Sequence, residues 1–344
     1  MNVVELSGSA VGGIRHHVTE LVRQLRARGV EVRWCGPQDS GAEDRVDVPS
    51  GFSPVMLFRG RRQLRQLLTA DVQVVHVHGL KAALLAILAG GHRPIIYTVH
   101  NVVEGSGHAG PIPRFIETTV CRRAAHLIVA SPAVARHCAQ LAPRTPCSLV
   151  LPVFSPPVVH RDRGSVRRVW GIESETSLVV SVARLHPQKR LDLLLDAWER
   201  IVTRLPDARL VLVGDGPERE RLQHRCRQLA GVQLVGTDVA GVDAIAASDA
   251  LVITSGWEGI PFVALEAMSL GVPVVSTDVG VVAEVIVPGA GRVVPEGHGL
   301  SERFAAAVIE QLGADRSAVP RGDAIDLNSL VDQVIEVYRT VVER

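Results

Sequence analysis

Lysine is almost missing from this chain of 344 residues: only Lys81 and Lys189 occur, so 35 of the 37 basic residues are arginine. Aromatic residues are scarce too, at 3%. The five cysteines (Cys35, Cys121, Cys138, Cys147, Cys226) contain no C-x-x-C pair. An odd, dispersed set argues against a disulfide framework or a zinc site and for reduced thiols. Long apolar runs are lacking as well. The longest, Ala82–Ala89, falls far short of the roughly 20 residues that a membrane span needs. The opening MNVVELSGSA has neither a basic n-region nor an apolar h-region. A cytoplasmic protein is therefore expected, peripheral at the inner membrane face at most. Net charge is nearly absent: 36 acids face 37 bases, which excludes nucleic-acid binding by bulk charge. Disorder is excluded by an apolar content of 47%.

What is present is a charge asymmetry and a regular alternation. Residues 1–150 carry 17 basic and 10 acidic residues, whereas 151–344 carry 20 and 26. Drift of a loosely constrained surface explains this as well as an anionic partner for the first half does. Short β-branched runs alternate with helical patterns. They are apolar throughout rather than every second residue, as in parallel strands covered on both faces. Strand-like runs include Val3–Leu6, Ile95–Val99, Ser148–Val153, Leu178–Val182 and Ala250–Ile253. The alternation restarts after a breaker-rich stretch, Leu151–Gly164, with Pro152, Pro156 and Pro157. The length fits two cores better than one. The chain reads as two Rossmann-like α/β domains, residues 1–155 and 156–325. A last helix, 326–344, packs on either domain. Such sheets bind ligands at the carboxyl ends of their strands, so chemistry is sought there.

Four segments sit at such ends. Ser255 to Met268 reads S-G-W-E-G-I-P-F-V-A-L-E-A-M. A strand ends at Thr254, a Gly-rich turn follows, and a helix begins near Pro261 or Phe262. Glu258 precedes that helix and Glu266 lies within it. A carboxylate accepts two hydrogen bonds from a vicinal diol, so the pair suits a sugar and a ribose. A helix-start acid and a solvated helix acid are the plain alternative. In Val182 to Arg190, V-A-R-L-H-P-Q-K-R, Arg184 and Lys189 lie in one loop. An arginine fork and a compact ammonium suit a diphosphate. An arginine there is unremarkable in this chain, but a lysine is a rare choice. Gly12 and Gly13 close the loop after the first strand and allow close backbone approach before a helix. Neither that loop nor Gly214-Asp215-Gly216 is a dinucleotide G-x-G-x-x-G: Ala10 takes the second glycine position after Gly8, and Arg219 the third after Gly214 and Gly216. Thr98-Val99-His100-Asn101 closes another strand, and a backbone-bonded His100 is the plain reading. His16, His17, His76 and His78 are ambiguous. The last two alternate on one strand face, and the sequence offers no nearby acid to complete a metal set. No Asp-x-Asp occurs.

Taken together, and in this order, these segments resemble glycosyltransferase family 4, the retaining nucleotide-sugar transferases of the GT-B fold, over nearly the whole chain. The resemblance implies two Rossmann-like domains facing a central cleft. It implies that Arg184 and Lys189 hold the donor diphosphate and that Glu266 binds the ribose hydroxyls. Glu258, with the backbone amides of Gly259, Ile260 and Phe262, holds the transferred sugar; Pro261 has no N–H to offer. His100 approaches the reacting centre, Gly12 and Gly13 border the diphosphate and acceptor, and Thr237 lies near the base. The donor is UDP- or GDP-linked, and no metal or other cofactor is required. The acceptor is open: a small molecule, a sugar phosphate or a lipid-linked glycan. Two departures concern hinge and acceptor. Leu151-Pro152-Val153-Phe154-Ser155 stands where relatives often have Pro-Asn-Gly, and Gly280-Val281 stands for Gly-Gly. A GT-B-fold 2-epimerase and a non-catalytic nucleotide-sugar-binding homologue are the rivals. An amphipathic stretch, Leu57–Leu68, carries Arg59, Arg61, Arg62 and Arg65. It reads as a solvated basic face before it reads as a contact for anionic lipid or a phosphorylated acceptor.

Overall fold

The computed structural model describes the chain apart from residues 9–12, 50–52, 101–110, 155–156, 259–260, 315–318 and 321–326. The chain forms two compact units, Met1–Ser155 with Asp326–Arg344, and Pro156–Ile325. In the first unit, strands β1 (Asn2–Ser7), β2 (Glu31–Gly36), β3 (Asp44–Arg45), β4 (Val74–His78), β5 (Ile95–Val99), β6 (His126–Val129) and β7 (Cys147–Leu149) form a sheet. Helices α1 (Gly13–Ala27), α2 (Pro54–Leu67), α3 (Leu80–Ala89), α4 (Pro111–Arg123) and α5 (Pro132–Leu141) connect them. The sheet order is β3-β2-β1-β4-β5-β6-β7, with every pairing parallel.

The second unit opens with α6 (Arg163–Val169), followed by β8 (Leu178–Val182), α7 (Leu191–Arg204), β9 (Arg209–Val213), α8 (Arg219–Cys226) and β10 (Val232–Val235). Then come α9 (Gly241–Ala247), β11 (Ala250–Ile253), α10 (Phe262–Ser269), β12 (Val274–Thr277), α11 (Val282–Val285), β13 (Gly291–Val294) and α12 (Leu300–Leu312). Its order is β10-β9-β8-β11-β12-β13, again all parallel. Each sheet therefore reverses direction once, between β1 and β4 and between β8 and β11. The last helix, α13 (Leu327–Val342), returns to the first unit, against α1 and β4.

Burial explains the unalternating strands. Val4, Leu6, Val75, Val77 and Leu127 are buried in the core of the first sheet. In the second, Leu194, Leu195, Trp198 and Ile201 of α7 pack with Leu210, Leu212, Phe304 and Val308. Full burial of such a side chain contributes about 1.5–3 kcal/mol. Several elements depart from the sequence expectation, which has neither β3 nor α11. Helix α2 starts at Pro54 rather than Leu57, because Ser53 caps it through Met56 N (3.4 Å) with Pro54 at the first turn. Strand β7 stops at Leu149, short of Pro152, which cannot donate to a ladder. Asp162 caps α6, which begins at the end of the supposed linker. Strand β13 was hidden by Gly291, where a Cβ would lie 2.0 Å from Val274 O. On α2, Arg61 and Arg65 donate to Leu88 O and Ala89 O (2.8 and 3.4 Å), the last carbonyls of α3. Arg59 faces Asp47 at 3.6 Å. Much of that basic face thus serves α3 and a neighbouring acid.

Candidate active site

In the second unit the reversal between β8 and β11 brings two loop segments together, 183–190 after β8 and 254–258 after β11. Lys189 Nζ donates to Glu258 Oε1. Ser255 Oγ donates to the same oxygen at 2.6 Å. Thr254 Oγ1 donates to Lys189 O (2.9 Å), and Gly256 N to Gln188 O (2.8 Å). Arg190 is the clamp. Its Nε and Nη2 donate to Thr254 O and Ser255 O (3.0 and 3.1 Å), and it pairs with Glu296 at 2.5 Å. Its φ of 44° is the only positive one of a non-glycine residue among the described residues. Such strain persists where surrounding bonds over-determine it.

The glycines of Val213-Gly214-Asp215-Gly216 let this loop seat. A Cβ on Gly214 would lie 1.9 Å from Ala183 O, and one on Gly216 2.3 Å from Leu185 O. Leu185 N in turn donates to Asp215 O at 2.9 Å. Arg184, between those contacts, is exposed and has no ion pair among the described residues. Helix α10 starts at Phe262 behind Pro261, with no side-chain cap. Glu266 sits in its second turn, where burial pushes its carboxyl up to about 7. Thr237 is exposed after β10. The arrangement joins a cationic loop to a segment that runs on into a helix whose carboxylate is reluctant to ionise. It can receive a diphosphate and a diol.

The first unit holds a different site. Glu5 and Ser7 of β1 pair in register with His76 and His78 of β4, and His78 with Thr98 of β5. Period-two alternation puts Glu5, His76, His78, Thr98 and His100 on one face. All are buried, as are His17 from α1 and Tyr338 from α13. His76 Nδ1 and His78 Nε2 reach Glu5 at 3.1 and 2.9 Å, and Tyr338 OH donates to Glu5 Oε1 at 2.6 Å. Thr98 Oγ1 is 2.7 Å from His76 Nε2, and His78 Nδ1 is 3.1 Å from His100 Nε2. His17 Nδ1 donates to Val153 O at 3.2 Å. Burial would raise Glu5, but His76 and His78 more than offset it and hold the carboxyl well below its usual range. Burial pushes His17 down to about 3 and His78 to about 4, and holds His100 well below its ordinary value.

Each unit matches a known family. Residues 11–151 match the model of Glycosyltransferase Family 4, and residues 162–318 that of glycosyl transferases group 1. The chain belongs to glycosyltransferase family 4. A phosphatidyl-myo-inositol mannosyltransferase of Mycolicibacterium smegmatis is 27% identical over 371 residues, spanning 96% of this chain and 90% of that protein. An N-acetyl-alpha-D-glucosaminyl L-malate synthase of Bacillus anthracis is 33% identical over 132 residues, 38% of this chain and 34% of that protein. The fold is that of GT-B glycosyltransferases. Anabaena HepE, solved with UDP and glucose, superposes with a TM-score of 0.78 at 19% identity, covering 99% of this chain and 100% of that one.

In this glycosyltransferase, Arg184, Lys189, Glu258, Phe262 and Glu266 fall on one pair of loops and the helix that follows. Gly13 opens α1. Gly12, Gly259, Ile260 and Asn101 lie outside the described residues. Two readings change. The histidines of β4 do have an acid, since Glu5 stands across the ladder although 71 and 73 residues away in sequence. His100 bonds to His78 rather than to backbone. Sequence reasoning passed over Arg190, Ser255, Glu5 and Tyr338. The signal for Glu5 was visible: a lone acid in the apolar run Val3-Val4-Glu5-Leu6 needs a buried partner. Among the described residues no helix is long and apolar enough to cross a membrane.

Proposed function

We propose that this glycosyltransferase moves a hexosyl group from a UDP- or GDP-linked sugar to an acceptor nucleophile, with retention and without a metal ion. The observation that carries the reading is the Lys189–Glu258 pair, tied down by Ser255, in a loop that also carries the exposed Arg184. Lys189 exchanges a carboxylate oxygen for a diphosphate oxygen, and Glu258 turns to sugar hydroxyls. Phe262 and the preceding amides of Gly259 and Ile260 complete the sugar contact, Glu266 takes the ribose, and Thr237 borders the base. The bond from the anomeric carbon to phosphate oxygen breaks, and a bond to the acceptor forms on the same face. The acceptor proton passes to the departing phosphate. Arg184 and Lys189 offset the charge that develops there.

The acceptor is a small molecule, a sugar phosphate or a lipid-linked glycan, and the membrane relation is at most peripheral. Thermal-shift titration tests the donor site. UDP or GDP raises the melting temperature of the wild type, because a ligand at a hundred times its Kd adds about 2.7 kcal/mol. Glu266→Ala loses that protection. If neither nucleotide protects the wild type, the reading is wrong.

A further inference from the structure

The histidine chain of the first unit ends in an unusual way. Glu5 is a carboxylate and can only accept, so His78 must donate from Nε2. His78 is neutral at pH 7, which leaves its Nδ1 a bare lone pair. His100 Nε2, 3.1 Å away, must then carry the proton of that hydrogen bond. His100 is neutral as well, so its Nδ1 has none. That Nδ1 is buried and has no hydrogen-bond partner among the described residues. A buried acceptor without a partner costs about 1–3 kcal/mol, so such an atom calls for a donor from water or from a ligand.

We propose that Glu5, acting through His78, fixes the tautomer of His100 so that its Nδ1 accepts a hydrogen bond from a hydroxyl of the sugar or acceptor during transfer. The assignment rests on the reading of His100 as a residue of the transfer site. Glu5 and His78 are positioning residues, because neither is asked to touch substrate. Tyr338 extends the device to the C-terminal helix, since its hydroxyl shares Glu5 Oε1 with His76. A metal is the competing use of this cluster: His17, His78 and His100 each offer a nitrogen within 4.8 Å of the others. However, His78 Nδ1 and His100 Nε2 already face each other in a hydrogen bond, and the remaining nitrogen of His78 is held by Glu5.

Imidazole-nitrogen NMR of the full chain, with 15N-labelled histidine, reads the tautomer without any assay of activity. The expected result at pH 7 is a neutral His100 protonated at Nε2 and bare at Nδ1. A His100 protonated at Nδ1, an imidazolium, or stoichiometric zinc in the purified protein would overturn the proposal. Turnover of whichever of UDP-glucose, UDP-N-acetylglucosamine or GDP-mannose the protein consumes supplies the second arm. His78→Leu removes the acceptor for His100 Nε2 and lowers kcat about tenfold with donor KM unchanged, the effect of one hydrogen bond. His78→Asn, whose amide oxygen replaces Nδ1, restores most of it. Equal losses in both folded variants defeat the tautomer argument. An unchanged kcat in His100→Ala, beside the expected tautomer, instead defeats the placing of His100 at the transfer site.

Discussion

The two units share a strand order and a single reversal, yet they treat charge in opposite ways. In the second unit the charged groups of the site ride on loops beyond β8 and β11, where Arg184 is exposed and Lys189 is half-buried. In the first, an acid and four histidines are carried by strands, strand ends and α1, all buried. The second unit does bury an ion pair, but at the other end of its sheet. Arg167 donates to Ala247 O, Glu173 O, Ser174 O, Thr176 O and Asp249, with Asp249 also accepting from Leu178 N as β8 begins. Charge at the amino ends of these strands holds the fold, and charge at the carboxyl ends is available to a substrate. Exposed loop charges can be remade without unfolding the sheet. Strand charges must be fully bonded and change only as a set.

Breaking the structural pair should give the largest effect. Arg167→Ala takes a donor from four carbonyls and from Asp249 and should cost about 3–5 kcal/mol in urea unfolding of the second unit. An unchanged midpoint would remove the contrast between the two ends of the sheet. Acid should separate the units next. His17 and His78 titrate near 3 and 4 in the fold, against an ordinary value of 6.5. The unfolded chain therefore binds more protons below 6.5, and stability falls as pH drops. Each histidine contributes about 1.4 kcal/mol per pH unit, so near pH 5.5 the first unit should lose about 3 kcal/mol. Glu266 has the opposite sign. Its raised value of about 7 means the fold holds a proton that the unfolded chain releases above 4.5, so acidification from pH 7 favours the second unit there. Calorimetry between pH 7 and 5.5 should show the first unit's transition moving down the further. The smallest effect should come from Lys189→Arg, which keeps the charge but replaces a compact ammonium with a fork. Donor turnover should fall about tenfold with the melting temperature unchanged. Full activity would show that only charge matters at this position.

Much of the second unit was legible in the sequence because its motifs are contiguous. Arg184 to Lys189 and Glu258 to Glu266 are short runs after recognisable strands, and the rarity of lysine singled out Lys189. The role of Arg190 was not legible, since its partners Thr254 and Ser255 lie 64 and 65 residues away. The first unit was legible as a fold and largely illegible as a site. His76 and His78 were visible as an alternating pair, and Tyr338 as one more residue of an amphipathic helix. Nothing local joins Tyr338 to Glu5 across 333 residues.

By itself the sequence determined the two-unit α/β architecture, the parallel sheets and the family, because periodicity, breakers and contiguous motifs act over short stretches of chain. Only the tertiary structure decided which acid serves the histidines, which ring nitrogens face one another, and that α13 packs on the first unit. Those outcomes depend on strand order and register. Register sets one buried side chain opposite another, and burial then makes the polar atoms of the layer pair with one another, His100 Nδ1 excepted.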